Sequence, residues 1–177
     1  MKKTLLISGS NRDGNTEYIL EMLNKEIKNS ELILLKDKQI EYCKGCLACH
    51  NIDRCIIKDD INKIIDELID CDLIVCGVPN YFDNVSGLFK NFMDRLHPLY
   101  KSKQLLNKKI VFIYVGGGEF GGKEGTIEKL HISTAGFIKY LGLDLKEEFG
   151  FKALNIEDVK MQNDKITEIS NKIKNFL

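Results

Sequence analysis

The 177-residue chain has no net charge, since 26 lysines and arginines balance 26 aspartates and glutamates. No overall field therefore draws it to nucleic acid or to a membrane surface. A basic cluster interleaved with aromatic residues, which would be a local exception, is also lacking. No window approaches the ~20 apolar residues that a membrane-spanning helix needs. The opening "MKKTLLISGS" starts like a signal peptide, but its apolar stretch is short and breaks at Gly9, so it reads as a first β-strand. Internal repeats and low-complexity stretches are absent too. What is left is an ordinary globular composition, expected to fold as a single domain over residues 1–177. The expected compartment is the cytoplasm, where six cysteines read as thiols, metal ligands or redox groups rather than as a disulfide framework.

Short apolar runs at 3–8, 31–36, 72–78, 109–115 and 143–149 alternate with amphipathic stretches. Tyr18, Ile19, Met22, Leu23 and Ile27 share one helical face, as do Ile61, Ile64, Ile65, Leu68 and Ile69. Leu88, Phe89, Phe92, Met93 and Leu96 make a third set, Ile127, Leu130, Ile138 and Leu141 a weaker fourth, and Val159, Ile166, Ile169 and Ile173 the last. Continuous apolar runs suit strands buried on both faces. The alternation predicts an α/β three-layer sandwich with a five-stranded parallel sheet in the flavodoxin-like order 2-1-3-4-5. One long connection without periodicity, 37–58, carries four of the cysteines.

Ligands of such sheets bind beyond the carboxyl ends of the strands, where the strand order reverses. Three loops should meet there: "SGSNRDGNT" (8–16), "PNYFDNVSG" (79–87) and "GGGEFGGKEG" (116–125). The first has the Gly-x4-Gly-x-Thr spacing of a P-loop, with Asn15 in place of the lysine. Glycines let the backbone aim its N–H groups inward, and the following helix start adds unpaired donors and a partial positive charge. Ser10, Asn15 and Thr16 can add side-chain donors, and Arg12 a charged one. Lacking the lysine and a clear metal-binding aspartate, the loop suits a phosphate monoester that is held rather than transferred. A solvated, capped turn is the plainer alternative. In the second loop Tyr81 and Phe82 offer flat apolar surface, as a ligand wall or as turn packing. The glycines of the third allow close approach of a flat ligand, or simply a flexible loop.

The segments "SGSNRDGNT", "PNYFDNVSGLFKNFMDR" and "GGKEGT" together resemble the NADPH-dependent FMN reductase family of flavodoxin-like proteins, over nearly the whole chain. The middle segment is the most specific, matching Pro-x-Tyr-x4-Ser-Gly followed by a helix with Phe-x-Asp-Arg. The resemblance implies that Ser10, Arg12, Asn15 and Thr16 hold the FMN phosphate. It also implies that Pro79, Asn80, Tyr81, Phe82, Val85 and Ser86 border the ring system, with Gly116, Gly117 and Gly118 on its other side. Asn80 stands where the family often has an aliphatic residue. Asp94 and Arg95 are expected to pair with each other near a subunit contact.

"CKGCLACHNIDRC" spaces its thiols as Cys43-x2-Cys46-x2-Cys49-x5-Cys55. Thiolates fanned at two-residue gaps suit a cubane cluster; zinc or free thiols are the alternatives. The pattern resembles the iron–sulfur flavoprotein branch of the same family, which implies a [4Fe–4S] cluster beside FMN. Asp59 or Asp60 should cap the next helix. Cys71 and Cys76 read as buried packing residues. His50 reads as solvated, with replacement of a thiolate as the alternative, His97 as the C-terminal cap of the third helix, and His131 has no assignable carboxylate partner.

The expected activity is that of a homodimeric or homotetrameric oxidoreductase without a catalytic side chain, since the flavin carries the chemistry. Electrons would pass from NAD(P)H through FMN to a quinone, flavin, nitro compound or similar small acceptor. The alternative is an electron carrier that exchanges single electrons with a ferredoxin.

Overall fold

The computed structural model of the chain describes residues 1–119 and 125–177. Strands β1 (Thr4–Ser8), β2 (Ser30–Leu34), β3 (Leu73–Tyr81), β5 (Lys109–Gly116) and β6 (Asp144–Lys152) form a parallel sheet in the order β2-β1-β3-β5-β6. This is the expected flavodoxin-like order. One strand was not foreseen: β4 (Asn84–Val85) pairs antiparallel with the end of β3, so the expected fourth and fifth strands are β5 and β6.

Alternation along each strand feeds two cores. Leu5 and Ile7 of β1, and Ile110, Phe112 and Tyr114 of β5, pack on one side with α2 (Ile61–Asp70), α3 (Gly87–Arg95) and α5 (Thr126–Leu141). Leu6, Val111, Ile113 and Val115 pack on the other with α1 (Asn15–Glu26) and α6 (Asn163–Lys174). Both cores draw on the helical faces expected from the periodicity, and Cys71 and Cys76 are buried in the first. No helix among the described residues is long and apolar enough to cross a membrane.

Several expectations change once the chain is folded. Asp94 does not pair with Arg95; Asp94 reaches Lys90 one turn back, at 2.5 Å, and Arg95 turns inward to Asp59, at 2.7 Å. Adjacent residues on a helix point about 100° apart, so they cannot share one contact. His97 is not a C-terminal cap; it directly precedes the short helix α4 (Pro98–Ser102), whose first position Pro98 takes. His131 does have a carboxylate partner, with Nδ1 2.9 Å from Glu148 of β6, a residue 17 positions away. Glu148 in turn accepts from the buried Tyr114 hydroxyl at 2.7 Å. Of the two candidate caps of α2, Asp59 accepts the Ile61 N–H at 3.1 Å, while Asp60 makes no side-chain cap.

Candidate functional site: a phosphate cradle beside a cysteine cavity

The loop after β1 is strapped to the sheet. Gly9 donates its N–H to the Gly77 carbonyl (2.8 Å), and its carbonyl accepts from Ser86 Oγ (2.6 Å). A Cβ at Gly9 would stand 2.8 Å from that of Phe89, so only glycine lets the loop lie this close to α3. Ser10 Oγ donates to the Arg12 carbonyl (2.9 Å) and accepts the Arg12 N–H (3.3 Å), closing the turn on itself. The first helical hydrogen bond of α1 runs from Tyr18 N–H to the Gly14 carbonyl. The N–H groups of residues 15–17 therefore have no intrahelical acceptor, and they open onto this loop.

Ser10, Arg12, Asn15, Thr16, Pro79, Asn80, Tyr81, Gly116 and Gly117 all line one cavity of about 180 Å³. Arg12 is exposed at its mouth, Thr16 is buried, and Oδ1 of Asn80 is buried without a hydrogen-bond partner. Four predicted residues lie elsewhere. Ser86 caps α3, accepting the Phe89 N–H at 3.1 Å, and with its bond to Gly9 both functions of its hydroxyl are occupied. Val85 is buried in the β3–β4 pairing opposite Asn80. Phe82 projects fully into solvent at the hairpin tip. Gly118 packs on the start of α5, where a Cβ would lie 2.7 Å from Thr126 Oγ1. Residues 120–124 of the third loop, including most of "GGKEGT", lie outside the described residues.

Asn15 lines the cavity, but its side chain is engaged elsewhere. Nδ2 donates to the Asn155 carbonyl (2.6 Å) and Oδ1 accepts the Val159 N–H (3.3 Å). It thereby ties α1 to the segment after β6, whose Ala153 and Leu154 form a wall that the sequence reasoning missed. Their position just past the carboxyl end of the last strand of the sheet was the available signal.

The β3–β4 hairpin turns through Phe82 (φ 52°) and Asp83 (φ 56°), both in the left-handed region. Two such residues make the tight turn whose twist matches paired strands, at a steric cost that glycine or asparagine would avoid. Asp83 is anchored to Lys129 of α5 at 2.7 Å, and that ammonium holds its carboxyl below the usual carboxylate range.

The cysteine loop leaves the sheet after β2 and is tied down at its two ends. Gln39 and Glu41 N–H groups donate to Asp60 and Asp59, each at 2.9 Å, and Asn62 exchanges two bonds with the Cys55 backbone. Cys43, Cys46, Cys49 and Cys55 all line one cavity of about 340 Å³ against Arg95, His97 and Pro98. Cys43 and Cys46 are exposed, Cys49 and Cys55 half-buried. Burial raises the pKa of Cys49, whose Sγ lies 3.5 Å from His97 Nδ1. His50 is not simply solvated: its ring stacks on His97 at 5.0 Å between centroids. Cys43 also borders an open cleft of about 490 Å³ that reaches Asn11 of the phosphate loop, so the two sites adjoin. A wider cleft, about 610 Å³, lies apart from the cradle, between α3, α4 and α5.

A family model described as NADPH-dependent FMN reductase matches residues 2–142. The chain belongs to that family, in its iron–sulfur flavoprotein-like branch. It is 37% identical over 139 residues to an iron–sulfur flavoprotein of Archaeoglobus fulgidus, covering 76% of this chain and 69% of that one. Identity to an iron–sulfur flavoprotein of Methanocaldococcus jannaschii is 40% over 134 residues, covering 73% and 69%. The solved structure of the Trp repressor binding protein from Bacillus subtilis matches with a TM-score of 0.70 at 21% identity, covering 95% and 97%, a likeness of fold.

The residues present fit both groups that the family implies. Free helix N–H donors, the exposed Arg12 and the partnerless Asn80 Oδ1 suit a phosphate joined to a polar chain. Around the cysteines, His50 Nε2, Arg54 Nη1 and Arg95 Nε are buried donors or acceptors without partners. Among the described residues no three Cys, His, Asp or Glu side chains are gathered for a single metal ion. A cluster asks less convergence of its ligands, because each thiolate binds a different iron.

Proposed function

We propose that this chain is an FMN-dependent oxidoreductase that takes reducing equivalents from NAD(P)H and passes them to a small acceptor such as a quinone, flavin or nitro compound. The observation that carries this reading is the single cavity shared by nine of the thirteen residues expected to contact FMN. The N–H groups at the start of α1, with Arg12 and Thr16, would hold the phosphate. At about 180 Å³ the cavity suits that end of the molecule, while the ring system would lie over its rim beside Tyr81. FMN, when bound, supplies a hydride acceptor that can release electrons singly or in pairs. Backbone donors of residues 80–85 would favour negative charge at the ring's polar edge, and no side chain need act as acid, base or nucleophile.

A second reading is favoured by the four thiols that share one cavity adjoining the cradle. Here Cys43, Cys46, Cys49 and Cys55 hold a [4Fe–4S] cluster, and the chain relays single electrons to a ferredoxin-type partner. Exposure of Cys43 and Cys46 supports access from such a partner. In either reading the protein is a homodimer or homotetramer, which the wide apolar cleft between α3, α4 and α5 supports.

Protein purified without oxygen tests these readings through its absorption spectrum, iron and acid-labile sulfide content, and bleaching by NADPH. A flavin envelope that NADPH bleaches is expected for the reductase. Iron and sulfide near four per chain, with no bleaching by NADPH, would move the assignment to the carrier. Protein that does not take up FMN at micromolar concentration would overturn both.

A further inference from the structure

Arg95 is a charged residue only 1% exposed, and the flavin chemistry does not call on it. Its Nη1 donates to the Glu41 carbonyl and to Asp59 Oδ2 at 2.7 Å. Nη2 donates to Asp59 Oδ1 at 3.1 Å and to Cys55 Sγ at 3.3 Å. One guanidinium thus grips the entry of the cysteine loop, the segment that leaves it, and one of its thiols. The remaining donor, Nε, is buried without an acceptor on a residue that lines the cavity of the four thiols. A buried guanidinium N–H left unpaired is costly, and its natural complement is an anionic acceptor in that cavity.

We propose that Arg95 is a positioning residue for an anionic iron–sulfur cluster on Cys43, Cys46, Cys49 and Cys55, holding Cys55 in place and offering its Nε–H to the cluster. This rests on the second reading above. Arginine suits the task better than lysine, because its planar fork can serve Asp59, a carbonyl and a sulfur at once and stays charged in the interior. Its charge favours the more negative, reduced form of the bound group, so it should raise the reduction potential. Donors to the ligand sulfurs act in the same direction.

The test compares wild type, Arg95→Met, and the double variant Arg95→Met/Asp59→Leu after anaerobic reconstitution with iron and sulfide. The double variant removes both buried charges together and so guards against misfolding, since a buried pair can often be replaced by apolar residues without loss of stability. Far-UV circular dichroism and FMN retention report folding. Iron retention against a chelator should fall about 10- to 100-fold in both variants, the range seen when a ligand's supporting partner is removed. In the fraction still loaded, the cluster potential should become more negative, and more so in the single variant, where Asp59 is left uncompensated. The flavin potential serves as the internal reference. Loaded variants with the wild-type cluster potential would overturn this proposal alone, because a purely structural role moves occupancy and not potential. Wild type that takes up no iron would overturn the cluster reading and this proposal with it.

Discussion

The loop at 9–14 is bonded at Gly9 both to β3 and to the cap of α3, whereas the cysteine loop at 37–58 departs from the sheet, is hydrogen-bonded to the backbone near its ends and meets His97 through Cys49 and His50 between them. Beside the first, the side chains of Ser10, Asn15 and Ser86 are already committed to internal hydrogen bonds, and the donors left for a ligand are the backbone N–H groups at the helix start with the side chains of Arg12 and Thr16. In the second, the thiols are partly open to solvent and several buried polar atoms lack partners. The first region leaves one buried side-chain atom, Asn80 Oδ1, without a partner, while the second leaves three, on His50, Arg54 and Arg95. Two sites that share one open cleft can therefore be lost separately.

The sharpest way to break this comparison is Cys55→Ser or Cys46→Ser, which should abolish iron retention and leave FMN stoichiometry unchanged, both read on protein prepared without oxygen. Joint loss of iron and flavin would show that the loops fold as one unit. Next in size, Arg12→Ala should weaken FMN binding about 10-fold or more, the scale of a hydrogen bond to a charged group, and Thr16→Ala somewhat less. Fluorescence titration of the apoprotein measures both, and unchanged affinity in the two variants would place the phosphate elsewhere. Ser86→Ala should cost about 1 kcal/mol through loss of the α3 cap. That lowers the melting temperature by about 2–4 °C for a chain of this size, with the flavin site affected only through Gly9.

Smaller effects separate the thiols. Alkylation of metal-free native protein near pH 8, followed by mass spectrometry, should modify Cys43 and Cys46 and spare Cys71 and Cys76. Burial pushes Cys71 up to about 11 and Cys76 higher still, so little thiolate is present at either. Finally, Asp59 has its carboxyl held below the usual range, because Arg95 and two backbone N–H groups outweigh burial. A depressed pKa gives stability that is present above the unfolded value, about 3.9, and is lost as pH falls through the folded one. Acid unfolding of the wild type should therefore steepen in that window, and Asp59→Asn should flatten it.

Legibility differed between the same two regions. The strand order and both cores followed from apolar runs and helical periodicity, which are local patterns, and nine of the residues that the resemblance implies for FMN line one cavity. The errors came from long-range partners. Nothing within the helix reveals that Arg95 meets Asp59 rather than Asp94, and nothing near His131 in α5 reveals Glu148 on β6. Val85 pairs in a hairpin that no periodicity announced, and Ser86 starts α3 as its cap while also reaching the Gly9 carbonyl 77 positions away. Ala153 and Leu154 reach the rim because β6 pairs parallel with β5 and Ala153 donates its N–H to the Gly116 carbonyl, and Asn15 then fastens the next residues from 140 positions away.

The sequence by itself determined the layered α/β architecture, the glycine-bearing turn before α1 and the spacing of four thiols, because periodicity and backbone stereochemistry act between near neighbours. Only the tertiary structure decided which polar atoms remain available: it committed Ser86 and the Asn15 side chain to the fold, buried Arg95 against Asp59, and brought four cysteines around one cavity beside the cradle. Whether a donor is free depends on what chain packing brings within about 3 Å of it, and that distance has no counterpart along the sequence.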